Sequence, residues 1–128
     1  MSDNVNHPAH YKPLFEMKPL ECIDITKFMS FTWGNAFKYV WRAGSKGDSE
    51  KMIEDLRKAV WYVRNNNVRD EVSHIAIARF DCLKKPDRSD STEYRRWYIL
   101  YRIVGHDPAV VSLLEDWIDE LERSKNHA

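Results

Sequence analysis

The sequence predicts an all-α fold: a compact bundle of about five to six helices, preceded by an irregular proline-rich N-terminal arm. Apolar residues recur at helical spacing along most of the chain, and strict apolar/polar alternation is almost absent. Glycine occurs only four times, and two of those glycines flank one short loop. With 128 residues, 43% apolar and 31% charged, the chain reads as a single domain able to bury a core without disulfides or metals.

Pro8, Pro13 and Pro19 lie too close together for a helix interior, so residues 1–18 read as the arm. Pro19 is a good first-turn residue for a first helix ending near Met29, although the β-branched run around Ile23 and Ile25 also fits a short strand. Gly34 then separates off a second helix, about 35–43, with Phe37, Val40 and Trp41 on its apolar face and Gly44 as a left-handed cap. Asp48 or Ser49 caps a third, in which Met52, Leu56, Ala59, Val60 and Val63 keep the period. The run Asn65-Asn66-Asn67 breaks it. A fourth helix, about 70–84, uses Val72, Ile75, Ala76, Phe80 and Leu83. The segment KPDRSD is a loop, and Asp90 with Glu93 forms a capping-box pattern for a fifth helix over 91–104, whose face is Tyr94, Trp97, Tyr98, Tyr101 and Val104. Asp107-Pro108 starts the last, built on Val110, Val111, Leu114, Trp117, Ile118 and Leu121.

Charge excludes several functions. Twenty basic and twenty acidic residues cancel, so no bulk field draws the chain to nucleic acid or anionic lipid. No apolar run approaches the roughly 18 residues of a membrane span, and the N-terminus lacks a signal-peptide apolar region. Cys22 and Cys82 are isolated thiols suited to a reducing cytoplasm, where one bridge between them is allowed but not implied. No P-loop, GxGxxG or GxSxG pattern occurs, and His74 and His106 belong to no metal-ligand cluster.

The chemistry gathers between Gly34 and Tyr62. Asn35, Lys38 and Arg42 fall at i, i+3 and i+7, and Asp55, Lys58 and Tyr62 repeat that spacing on the next helix. Each trio makes a polar stripe along one helix face. Lys38 and Arg42 can present two cations to a phosphate, and Lys46, between two glycines, can approach a ligand closely. The plainer reading pairs those cations with Asp55, Glu54 or Glu50 across the hairpin. Glu21 and Asp24, at i and i+3, suit a general base or a magnesium ion carried with a nucleotide; no cofactor is required otherwise. His7 and His10 beside Tyr11 are an unusual pair for a proline-rich arm and could bind phosphate or move a proton. Trp33, Tyr11 and Tyr39 are the candidates for stacking on a base.

The strings NHPAHY, ECIDI, GNAFKYVWRAGSKG and EDLRKAVWYV, in this order, resemble the SaV-like family of small bacteriophage proteins over residues 5–64. The family includes a phage kinase that phosphorylates deoxynucleoside monophosphates without a P-loop. The resemblance implies a core at 19–64, extended by 65–128, and a site among His7, His10, Tyr11, Glu21, Asp24, Asn35, Lys38, Tyr39, Arg42, Lys46, Asp55, Lys58 and Tyr62. Within that set, Glu21, Asp24 and Asp55 are the candidate catalytic carboxylates, and the others hold the ligand. A weaker likeness to all-α nucleoside triphosphate pyrophosphatases lacks their paired ExxE and ExxD helices. The expected function is nucleotide binding, most concretely by a kinase acting on nucleoside monophosphates in the infected host's cytoplasm. A site completed by assembly into a homo-oligomer, with the aromatic fifth helix as an interface, would accommodate donor and acceptor together. Sequestration of a nucleotide or nucleotide-derived defence signal, and docking on a host protein, are the alternatives.

Overall fold

A computed structural model describes residues 19–45 and 47–126, and these form six helices with no strand. They are α1 (Cys22–Thr26), α2 (Phe31–Arg42), α3 (Ser49–Arg64), α4 (His74–Phe80), α5 (Ser91–Val104) and α6 (Val110–Asn126). The all-α expectation holds, and the strand alternative at Ile23–Thr26 does not.

Three boundaries differ from the periodicity. The first helix is five residues long rather than reaching Met29, because Phe28 and Met29 close tight turns onto the carbonyls of Ile25 and Thr26. Gly34 is no break: its N–H donates to Ser30 O at 2.8 Å, so α2 starts four residues early and Asn35 lies one turn inside it. The fourth helix is also shorter, since Ser73 Oγ accepts from Ala76 N–H at 3.1 Å and starts α4 only after an irregular strap over 65–73. Elsewhere the capping signals hold. Asp48 accepts from Glu50 N–H at 2.9 Å, and Gly44 follows α2 with φ +88°. The fifth helix spans 91–104 as expected, but Glu93 completes only half a capping box, its carboxylate turning to Arg96 instead.

The core joins Ile25, Trp33, Phe37, Val40, Leu56, Ala59, Ile99, Ile103, Leu114 and Trp117, among others. α2 packs chiefly on α3 and α5, and α3 on α6. Between α3 and α6, Glu50 meets Lys125, Arg57 meets Glu122, and Arg64 meets Glu115, an order that makes the two helices antiparallel. Such exposed pairs add little stability, about 0–1 kcal/mol each. The buried face of α5 is Ile99, Leu100, Ile103 and Val104 rather than its aromatic residues. Trp97 and Tyr101 instead lie over Phe80, whose ring is buried beneath them. Arg96 ties α5 to the end of α2 by donating to Val40 O at 2.6 Å. No helix among the described residues is long and apolar enough to cross a membrane.

Candidate ligand site on the α2–α3 hairpin

The loop after α2 turns back through Gly44 and Gly47, both with positive φ, and lays α3 antiparallel on α2. This converts the two polar stripes into one surface. Tyr39 is its centre: Lys38 Nζ lies 4.7 Å, Arg42 Cζ 5.0 Å and Lys58 Nζ 5.4 Å from its ring centroid. The Tyr62 ring stacks against Tyr39 at 5.9 Å and 16°. Four residues singled out from spacing therefore meet around one aromatic ring, and a ring face attracts cations held this way.

Asp55 lies beneath this group. It is 1% exposed, with Arg42 Nε 3.5 Å and Lys51 Nζ 3.9 Å from Oδ1. No hydrogen bond satisfies that oxygen among the described residues. The plainer reading of the sequence thus holds for Arg42, which does pair across the hairpin. The manner of pairing matters: Nε faces the carboxylate, and the terminal guanidinium nitrogens bond to no described residue while the side chain stays 42% exposed. A guanidinium held by one edge offers its other edge as a two-pronged oxyanion donor. Lys38 and Lys58 have no carboxylate partner within 4.0 Å among the described residues. Lys51 is shared with Glu54 at 2.9 Å, a bond that raises the lysine's pKa and lowers that of Glu54.

Shallow hollows flank the ring. One, of about 260 Å³, lies between Met29, Asn35 and Lys38; a larger one, about 680 Å³, runs along α3 between Lys51, Glu54, Lys58 and Trp61. Exposed aromatic side chains stand beside the cations. Phe31 is 74% and Trp61 58% exposed, and each meets Tyr62 edge-to-face, at 6.0 and 5.1 Å.

Other expectations are placed differently. The Asn35 amide donates to Phe31 O at 2.8 Å and is spent within its own helix. Asp24 is buried and accepts from Glu21 N–H at 2.8 Å, so these two residues form the N-terminal cap of α1. No hydrogen bond, ion pair or ring contact joins either carboxylate to the Tyr39 cluster among the described residues. Trp33 is buried against His106 and cannot stack on a base. His7, His10, Tyr11 and Lys46 lie outside the described residues. Lys51, Phe31 and Trp61 escaped the sequence reading, although Lys51 stands at i−4 from Asp55 and that spacing was there to be read. Cys22, close to Lys38, is pushed up to about 11 by burial, which makes it an inert thiol; both cysteines are free.

Residues 5–64 match the family described as a protein of unknown function (DUF3310), the same span that carries the motif resemblance. Over 66 residues the chain is 33% identical to the Gene 1.7 protein of Enterobacteria phage T3, an alignment covering 48% of this chain and 40% of that protein. The chain thus spans less than half the length of this bacteriophage relative. No solved structure matches it at a significant level.

Proposed function

We propose that the α2–α3 hairpin binds a nucleotide, with its phosphate on Lys38, Arg42 and Lys58 and its base against the exposed rings of Trp61 and Phe31. The observation that carries this reading is the convergence of three cations on Tyr39, with Arg42 braced from behind by a buried carboxylate. Three cations less the one carboxylate leave two positive charges. That matches a phosphate monoester, which carries about −1.5 to −2 at pH 7. A single terminal phosphate therefore suits the cluster better than a triphosphate. The neutral net charge of the chain agrees with a site that works by local placement of charge.

Geometry favours binding over chemistry. Asp24 is engaged in a helix cap and Asp55 in bracing Arg42, so Glu21 is the exposed carboxylate of the three. A protein that holds a nucleotide without altering it needs nothing more than the cluster provides. Phosphoryl transfer to a nucleoside monophosphate is the second reading, supported by the resemblance over residues 5–64. Such transfer rests on positioning and charge neutralisation, which the cations could supply.

Calorimetric titration with a panel of deoxynucleoside monophosphates tests the site. At 100 times its Kd a ligand adds about 2.7 kcal/mol of stability, readable as a thermal shift. Lys38→Ala combined with Lys58→Ala should abolish that shift while leaving the unliganded protein's melting unchanged. Equal affinity in parent and double variant would remove the cluster from the account. Incubation with ATP, magnesium and the bound monophosphate separates the two readings. Recovery of the monophosphate unchanged rejects the transferase, and appearance of the diphosphate rejects passive binding.

A further inference from the structure

A second polar pair lies away from the hairpin site, under the irregular strap 65–73. His106 follows α5 and has φ +58°, the only positive value at a non-glycine position among the described residues. Its ring lies flat on Trp33, with centroids 4.9 Å apart and planes 8° apart, and its side chain is 10% exposed. Nδ1 faces Asp70 Oδ1 at 3.8 Å, too far for a hydrogen bond. Among the described residues, His106 Nδ1 and Asp70 Oδ2 are both buried without a hydrogen-bond partner. Both residues line an open cleft of about 610 Å³, with Asn67, Arg69 and Pro108.

We propose that His106 Nδ1 and the Asp70 carboxylate hold a first-row divalent cation of the zinc type, its shell completed by water from the cleft. An imidazole nitrogen and a carboxylate oxygen are a donor set that zinc accepts. The 3.8 Å approach is of Nδ1 to Oδ1 and leaves Nδ1 and Oδ2 unsatisfied, whereas a cation held by Nδ1 and by both oxygens of the carboxylate gives each orphaned atom a partner. Tetrahedral zinc places such donors about 3.3 Å apart, so the pair must close by about half an ångström. Asp70 can supply that shift, because it sits in a segment without regular secondary structure. Stacking on Trp33 fixes the imidazole plane and leaves Nδ1 facing Asp70. Among the described residues no group of three or more histidine, cysteine or acidic side chains gathers here or elsewhere, so this is a two-donor, water-rich site. Arg69, beside the cleft, opposes the added charge and favours a weakly held ion.

Histidine-selective ¹H–¹⁵N spectra of the full chain, titrated with Zn²⁺ in phosphate-free buffer, resolve His106 from His7, His10, His74 and His127. The His106 Nδ1 resonance should move toward the metal-bound range. In Asp70→Asn that response should be lost at the Zn²⁺ concentration that half-saturates the parent. The upfield ring shift that Trp33 imposes on His106 reports whether the variant stays folded, and if it does not, the parent titration alone decides. An unmoved His106, a response confined to the other imidazoles, or an unchanged response in folded Asp70→Asn overturns the proposal.

Discussion

Replacing Arg42 by methionine should destabilise the protein by about 2–3 kcal/mol, while replacing Asp55 by asparagine should cost under about 1 kcal/mol. The asymmetry comes from burial. Asp55 is 1% exposed, whereas Arg42 and Lys51 are 42% and 31% exposed. At an effective dielectric of about 20, opposite charges 3.5 Å apart attract by about 4–5 kcal/mol before solvation. Without Arg42 the carboxylate stays buried and keeps only Lys51, at 3.9 Å and shared with Glu54. A fully orphaned buried charge costs about 3–5 kcal/mol, and the remaining lysine reduces that to the figure given. Without Asp55 both cations are already partly in water, and asparagine fills the same volume. The double variant should then cost about what Asp55→Asn costs alone, a coupling of about 2–3 kcal/mol. Urea unfolding of the four proteins measures this, and at about 3–5 °C per kcal/mol Arg42→Met should lower Tm by about 6–15 °C. Equal costs for the two single variants, or additivity in the double, would refute the brace.

Gly34→Ala should stabilise by about 0.5–1 kcal/mol, because Gly34 lies inside α2 and an added Cβ meets Met29 and Thr26 at an ordinary 3.6 Å; a lower Tm would show that the position needs its glycine. Gly44→Ala should destabilise by about 1–2 kcal/mol, since φ is +88° and the new Cβ would lie 3.2 Å from Met52 Sδ; chemical denaturation of both glycine variants side by side should give opposite signs. Alkylation at pH 8 followed by mass spectrometry should modify exposed Cys82 and spare Cys22, whose pKa of about 11 leaves about one thiolate in a thousand. Since burial raises that value from 9.0, this contribution to stability is complete below pH 9 and lost as pH rises toward 11. Equal labelling of the two cysteines in the folded protein would contradict it.

Local signals made much of the fold legible. Asp48 and Asp90 each accept a backbone N–H at a helix start, as short polar side chains do there. Spacing likewise brought Lys38, Arg42, Asp55, Lys58 and Tyr62 to one surface, around Tyr39, because the two glycines of a short loop turn the chain into an antiparallel hairpin. What failed was non-local. Gly34 looked like a break, yet a single glycine costs a helix only about 1 kcal/mol, which packing of Trp33 and Phe37 outweighs. Periodicity marked the aromatic stripe as the apolar face of α5, but Ile99 and Ile103 fill the space toward the rest of the bundle and the rings cover Phe80 at its rim. Arg96 reaches Val40 O across 56 positions of sequence, which no periodicity encodes. Glu21 and Asp24 carried the spacing of a paired acid site and equally that of a helix cap.

The claim that the cations around Tyr39 form a phosphate site is tested most directly by following backbone and side-chain resonances through a titration with a deoxynucleoside monophosphate. Lys38, Tyr39, Arg42, Lys58 and Tyr62 should shift first and together, with the Trp61 indole following as the base engages. Saturable shifts confined to another surface, or none at millimolar ligand, would contradict it.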